Sequence, residues 1–524
     1  MSASALPVAE FLERPFAAVP DMIRATARAL PDAPALLQDS RSLSYGALDA
    51  LMDRIAATLQ RAGLKPGDAI AICAASSIEY AAVYLGALRA GVVVAPLPPS
   101  ATADSLATMA NDADARLFFV DGAVAKALAA VRARIACPWV ALDDSDAGEA
   151  FSAWLVPAGT RPEPVEIRPE WPFNIIYSSG TTGTPKGIVQ PHAMRWMHVR
   201  RGANNAFGPG AVTLLSTPLY SNTTLVTFFQ SMAMGAAVVL MAKFDVRGYL
   251  ELAQRHKVTH TILVPVQYQR LMDFPEFDRY DLSAFQFKFC TSAPFPAKLK
   301  AEVLKRWPGG LIEVYGMTEG GGTCILAAHE YPDKLHTVGK PAPGHDIRII
   351  DDDGKELPRG AIGEVVGSSP GIMIGYHKQP QKTAEAEWYS PEGKRFIRTG
   401  DIGRFDEDGF LVLLDRKKDM IISGGFNIYP SDLEAVVRQH PAVADVSVVG
   451  VPSQRWGETP VAFVVFRPDA GAGPEDVLTF ANERLGKTQR LAAVEPIDEL
   501  PRSAIGKVLK RELRDRYQAK APTA

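Results

Sequence analysis

Cysteine is scarce in this sequence: four residues in 524 (Cys73, Cys137, Cys290 and Cys324), scattered and without a CxxC pair. That excludes a disulfide framework and a thiolate metal knuckle, and matches the small reduced thiols of a cytoplasmic protein. The nine histidines form no HExxH. His256 and His260 are four apart, but a helix-to-strand change falls between them and argues against a shared metal. Excess charge is missing too. A formal net charge of −3 gives no electrostatic case for nucleic acid or an anionic membrane as partner. The longest apolar run, 232–242, is far short of the roughly 20 residues of a spanning helix. No basic stretch followed by an apolar one marks a signal peptide. The expectation is a soluble, cytoplasmic protein with no membrane span.

What is present is an ordinary globular composition, 47% apolar, in a chain too long for one core. Leu48, Leu51, Ile55 and Leu59 give 43–59 a helical period; a KPGD turn at 65–68 leads into an apolar strand at 69–73. A helix at 78–90 and a strand at 92–95 follow, and 105–141 repeats the alternation around a buried strand at 117–120. Strands without internal alternation predict mostly parallel sheets covered on both faces, an α/β fold. Further strands are expected at 237–241, 285–291 and 311–315, ending in small or polar residues where an open sheet places its ligand. From 338 the turns Asp353-Gly354, Pro358-Arg359-Gly360 and Pro370-Gly371 predict a small β region. The charge cluster DRKKD at 415–419 marks the boundary between a large domain, 1–415, and a small α+β domain, 416–524. Within the latter, Ser431-Asp432-Leu433-Glu434 has capping-box spacing for a helix start. Its basic tail, 507–517, reads as a solvated helical face rather than a nucleic-acid patch.

The densest chemical signal is YSSGTTGTPKG at 177–187, directly after the apolar Phe173, Ile175 and Ile176. A buried strand running into small residues makes a phosphate cradle. Gly180 and Gly183 permit close backbone approach, while Ser178, Ser179, Thr181, Thr182 and Thr184 add hydroxyl donors. Lys186 supplies a point charge for a phosphate leaving group. The loop is not a Walker A motif, because Pro185 precedes the lysine and Gly187 follows it.

This loop resembles the nucleotide loop of the acyl-adenylate-forming superfamily, and matching motifs recur in that family's order from about residue 40 to Lys507. The resemblance implies ATP, Mg2+ and coenzyme A as co-substrates, and roles for particular residues. In Tyr315-Gly316-Met317-Thr318-Glu319 the ring would stack on adenine, Thr318 reach the α-phosphate and Glu319 hold the metal. Ser292-Ala293-Pro294 is similar to the adenine-side loop. Asp401 of Thr399-Gly400-Asp401 and Arg416 would hold the ribose, and Lys418 falls on the hinge about which relatives swing their C-terminal domain. Ser423, Gly424 and Gly425 would line the pantetheine path; Trp456-Gly457-Glu458 resembles a C-domain stretch of the CoA ligases. Lys507, ending Pro501 to Lys507, would be the catalytic lysine that neutralises charge building at the α-phosphate.

For the acid, the resemblance implies contacts from 220–229 and from 316–322, with Tyr220, Asn222, Thr223, Gly316 and Gly321 as candidates. Many relatives have His where Tyr220 stands. Phe228, Phe229 and Met232 read as core. Between Leu219 and Gln230 there is no Arg, Lys, His, Asp or Glu. The second charge of a dicarboxylate would lack a cation there, and the neutral Asn222 argues against an amino acid. The expected substrate is therefore a fatty, alicyclic or aromatic acid with an uncharged tail. The expected activity is ATP-dependent acid–CoA ligation; the alternative is loading of a separate carrier protein's thiol. The partners are then small molecules, no nucleic acid is expected, and a homo-oligomer is compatible with the sequence.

Overall fold

The computed structural model describes residues 7–178, 186–423, 426–454, 456–468, 470–486, 489–503 and 506–520. The chain forms two compact units: 1–336 with 342–346 and 368–397, and 337–341 with 347–367 and 398–524. Among the described residues no helix is long and apolar enough to cross a membrane.

The first unit holds two large sheets. One has the order Gly375–Tyr376, Lys186–Pro191, Pro172–Ser178, Val93–Pro96, Ala69–Cys73, Ala115–Val120, Trp139–Ala141 and Glu149–Ala150. It is parallel from Pro172–Ser178 onward and antiparallel across the hairpin to Lys186–Pro191. The other contains Gly310–Gly316, Phe287–Cys290, His260–Leu263, Val212–Leu215, Ala237–Leu240 and Pro34–Gln38, all parallel to their neighbours. Antiparallel strands Thr323–Ala327 and Arg41–Ser44 flank this row. All five residues of Ala69–Cys73 and all four of Ala237–Leu240 are buried, which is why neither strand alternates. The helices follow the apolar periods. Tyr45–Arg61 starts on Ser44, whose hydroxyl accepts from the Ala47 amide, and buries Leu48, Ile55 and Leu59; Leu51 is half-buried.

In the second unit, strand Leu411–Arg416 pairs antiparallel with the end of Arg395–Phe405. A separate sheet runs Phe426–Ile428, Ile421–Ser423, Gly457–Phe466, Val443–Ser453, with Ala493–Pro496 parallel to Gly457–Phe466. The mostly parallel α/β fold and the smaller α+β part are as expected. The capping box is not. Helix Pro430–Val437 is capped by Tyr429, without a side-chain cap bond. Proline pre-sets the first helical φ, so the helix begins a residue early and Ser431 lies inside its first turn. Its hydroxyl donates to the Leu414 carbonyl and its amide to Asp415 Oδ2 (2.9 Å). Glu434 is drawn away to the Val448 amide (2.9 Å) and the Lys510 ammonium (3.2 Å).

One ionic knot joins three helices of the first unit. Arg89, 6% exposed at the end of Ile78–Arg89, donates to Asp53 Oδ1 (2.8 Å), to Asp49 Oδ1, and to the Asp49 carbonyl (2.7 Å). Arg24 of helix Val19–Ala29, 32% exposed, pairs with the same two aspartates. Removing a buried partner leaves uncompensated charge, costing about 3–5 kcal/mol in dry sites. Arg89→Met is expected to lower unfolding stability by about 2–4 kcal/mol, and Arg24→Met by less. Denaturant titration of the two variants checks the order.

Candidate active site

The phosphate-loop stretch closes an antiparallel hairpin: Tyr177 faces Gly187 and Ser178 faces Lys186 in register. A Cβ on Gly187 would stand 2.8 Å from Ile175 Cγ2 and 3.1 Å from Tyr177 Cε1. Ser179, Gly180, Thr181, Thr182, Gly183 and Thr184 lie outside the described residues. Lys186 is half-buried, its ammonium 4.9 Å from the centre of the Tyr376 ring. The Tyr376 hydroxyl donates to Glu319 Oε1 at 2.9 Å. Burial and that carboxylate raise the phenol well above its usual range, so it is a fixed donor. Tyr376 thus links Lys186 with Glu319.

Tyr315 and Gly316 close strand Gly310–Gly316, and Met317, Thr318 and Glu319 form the turn beyond it. Three contacts hold this turn. The Glu319 carbonyl accepts from the Met373 amide (2.9 Å), Gly320 donates to the Met317 carbonyl (3.0 Å), and the Thr318 carbonyl accepts from Gln190 Nε2 (2.6 Å). Gly320 has φ +73°, and a Cβ there would lie 2.3 Å from the Gly371 carbonyl oxygen. Only glycine fits both constraints. Gly321 beside it is buried.

Gln190 also reaches Asn222, donating to its Oδ1 at 3.3 Å. Arg195, fully buried on helix His192–Asn204, donates to the same oxygen at 2.7 Å and to Gln190 Oε1. The absence of cations from 219–230 therefore does not make this place uncharged, because a guanidinium arrives from another helix. Asn222 and Thr223 open helix Asn222–Met234, and Thr223 Oγ1 lies 2.5 Å from Ser292 Oγ. Ser292 sits at φ +82°, followed by half-buried Ala293 and exposed Pro294. Tyr220 hydrogen-bonds Ser100, and burial raises its phenol. Phe228, Phe229 and Met232 are fully buried core.

The second unit brings together another set. Asp401 and Arg416 are opposite in register, Nε to Oδ1 2.8 Å. The Asp401 amide donates to Thr399 Oγ1 (3.0 Å), which donates to the Val365 carbonyl (2.8 Å). Lys507 is held through its own backbone and that of the described residues beside it. Ser503 donates to the Lys507 carbonyl (2.8 Å) and Gly506 to the Ser503 carbonyl (2.8 Å), with Gly506 at φ +75°. Burial, then Arg416 and Lys418, push the Lys507 ammonium down to about 8; Asp401 and Asp419 oppose them. Lys418 itself is exposed in the 3-10 turn Lys417–Asp419. Ser423 is buried, while Gly424 and Gly425 lie outside the described residues. Trp456 is 48% exposed, and Glu458 accepts from the Ile422 amide (2.9 Å).

Three participants were not foreseen. Gln190 is the one polar residue in the apolar run of its strand, Arg195 the charged residue on a buried helix face, and Tyr376 an aromatic after a glycine. Each carries only a weak local signal. No group of three or more His, Cys, Asp or Glu side chains able to hold a metal occurs among the described residues. A magnesium ion shared between phosphate oxygens and a single carboxylate needs no such group. Glu319, with one oxygen on Tyr376 and the other outside that hydrogen bond, fits it.

The AMP-binding enzyme family profile matches residues 23–377, and its C-terminal domain profile matches 432–507. This chain belongs to the AMP-binding enzyme family. Within it the chain stands in the acid–thiol ligase branch. It is 34% identical to the fatty acid–[acyl-carrier-protein] ligase ScoC of Streptomyces coeruleorubidus, covering 93% of this chain and 94% of that protein. It is 32% identical to indoleacetate–CoA ligase of Aromatoleum aromaticum, covering 92% and 95%. The crystal structure of ATP-bound MatB from Rhodopseudomonas palustris superposes with a TM-score of 0.86 at 29% identity, over 95% of this chain and 99% of that one.

The Gly320 constraint generates a test of this AMP-binding enzyme's turn. Gly320→Ala is expected to destabilise by about 1–3 kcal/mol, the cost of one strained backbone position. Thermal unfolding beside Gly360→Ala is the control, since Gly360 (φ +88°) has open space around its Cβ position. Equal shifts would mean that φ, and not the contact with Gly371, sets the cost.

Proposed function

We propose that this chain is a cytoplasmic, ATP-dependent carboxylate–CoA ligase acting on an acid with an uncharged tail. A carboxylate oxygen attacks the α-phosphorus of ATP and pyrophosphate leaves. The CoA thiol, losing its proton, then attacks the acyl carbon and AMP leaves. The observation that carries this reading is the Gln190 carboxamide, which fastens the Thr318 carbonyl and Asn222 Oδ1 to one another. An enzyme that joins a nucleotide to an acid needs its nucleotide turn and its acid-side residue in fixed register.

In this reading the loop from Ser178 to Lys186 cradles the β- and γ-phosphates, and Tyr315 and Ser292 to Pro294 flank adenine. Thr318 meets the α-phosphate, and Glu319 would hold a magnesium ion, whose charge would offset that of the phosphates. Asp401 and Arg416 hold the ribose, and Lys507 stabilises charge at the α-phosphate. Residues 416–524 act as the C-terminal domain, pivoting at Lys418, with Ser423 to Gly425 and Trp456 along the thiol path. Asn222, Thr223, Gly316 and Gly321 face the acid. Tyr220, whose hydroxyl is hydrogen-bonded to Ser100, stands with them as the gate candidate. Similarity to the carrier-protein ligase favours a second reading, in which the acceptor is a carrier thiol.

Pyrophosphate exchange over a carboxylate panel, followed by thioester detection with CoA and with a phosphopantetheinylated carrier, tests both. Thioester on the carrier alone would select the second reading. Lys507→Ala is expected to slow acyl-AMP formation by about 10²–10³-fold while thioester formation from supplied acyl-AMP persists. Equal losses in both steps would remove Lys507 from adenylation.

Lys507 also sets a pH dependence. Its lowered pKa means that the protonated, active form disappears as pH rises through about 8. Adenylation kcat/KM should therefore fall on that alkaline limb. Lys507→Arg should retain residual activity without the limb, because guanidinium stays charged.

A further inference from the structure

Among the described residues Arg195 is a buried cation without a carboxylate partner. It is 0% exposed, and its Nε and Nη1 atoms are buried without hydrogen-bond partners among those residues. Its Nη2 donates to neutral carbonyl oxygens, Gln190 Oε1 and Asn222 Oδ1. The rings of Phe173 and Phe229 lie 5.5 and 5.7 Å from the guanidinium carbon. Burial brings its pKa down to about 10, which still leaves it charged at neutral pH.

An arginine has donors only, and this decides what Asn222 presents. A carboxamide can face a pocket with its oxygen or its nitrogen, and spacing in the sequence cannot say which. Here Arg195 Nη2 (2.7 Å) and Gln190 Nε2 (3.3 Å) both require the Asn222 oxygen. Turning the amide over would set its NH2 against two donors. Among the described residues no hydrogen bond uses the Nδ2 hydrogens of this half-buried residue, so they are available to a ligand. A neighbouring cation polarises the amide and strengthens those donors.

We propose that Arg195 is a specificity-determining positioning residue, locking Asn222 as a hydrogen-bond donor so that the enzyme prefers acids whose otherwise uncharged tail carries a neutral acceptor oxygen. This rests on the ligase reading and narrows its substrate class. The preferred group is an ether, hydroxyl or carbonyl oxygen rather than a second carboxylate, because the substrate meets the Asn222 amide and not the enclosed guanidinium. A donor built to meet an acceptor discriminates strongly against the analogue that lacks one.

The test is pyrophosphate exchange with matched acids: cinnamate against 4-methoxycinnamate, octanoate against 8-methoxyoctanoate, and suberate as the dianionic member. The wild-type enzyme should favour one methoxy acid over its parent by about 10-fold or more in kcat/KM. Arg195→Met should shrink that preference to within about threefold, through KM for the acid, with little change in KM for ATP. If Arg195→Met fails to fold, Asn222→Asp keeps the question open to measurement. Its carboxylate pairs with Arg195, offers no donor, and should likewise abolish the preference. A wild-type preference for both parents or for suberate would overturn the proposal, as would a methoxy preference that survives in the folded variants. Exchange with none of the acids, under conditions where the folded enzyme binds ATP, would overturn the ligase reading and this inference with it.

Discussion

The carboxamide of Gln190 is the constraint that ties the first unit's candidate site together. Fully buried in a strand, it spends both amide hydrogens, one on the Thr318 carbonyl and one on Asn222 Oδ1. Thr318 lies beyond the last residue of its own strand, so no ladder bond defines its height above the sheet. A side chain from the other large sheet does that work. The same amide receives Arg195 on its oxygen, so three stretches distant in sequence share one planar group. Networks of this kind in a dry interior hold geometry tightly, because any misaligned member is left unsatisfied.

Three buried cations elsewhere in this chain differ from Arg195, although Arg201, also pushed down to about 10 by burial, has an Nε without a hydrogen-bond partner among the described residues. Arg89 is matched by Asp49 and Asp53. Lys288, pushed down to about 7 by burial, is surrounded by the carbonyls of Trp307, Pro308 and Gly309. Lys300 faces Glu313 and the Leu335 carbonyl. Each of these is compensated. Arg195 has amide oxygens and aromatic faces, and two of its nitrogens have no hydrogen-bond partner among the described residues. A charge buried in this way is weak evidence for stability.

Much of this was legible beforehand. Buried parallel strands announce themselves as unbroken apolar runs, and Ser44 caps its helix as local chemistry predicts. Ser431 did not cap, because Pro430 starts the helix before it. What could not be read was distance. Gln190 and Thr318 are 128 residues apart, Tyr376 and Glu319 57, and no period or motif connects them. The lack of charge in 219–230 did not extend to the surroundings of Asn222 for the same reason. That lack concerns a window of sequence, whereas Arg195 enters from a different helix.

Lys507 shows the complementary limit. Its candidacy follows from a motif; beside it Gly506 has a positive φ and the Ser503 amide donates to the Lys507 carbonyl. Its protonation does not follow from either. That depends on burial and on Arg416 and Lys418, some ninety residues earlier in the chain by the order of their numbers, with Asp401 and Asp419 opposing. A lysine held near the edge of titration carries its charge less firmly than an exposed one. Phosphate or carboxylate oxygens brought close would raise its proton affinity again. In the proposed ligase reading the lysine would thus be most strongly charged with its ligand present, so that binding itself would favour the ionised form that a transition state with growing negative charge requires.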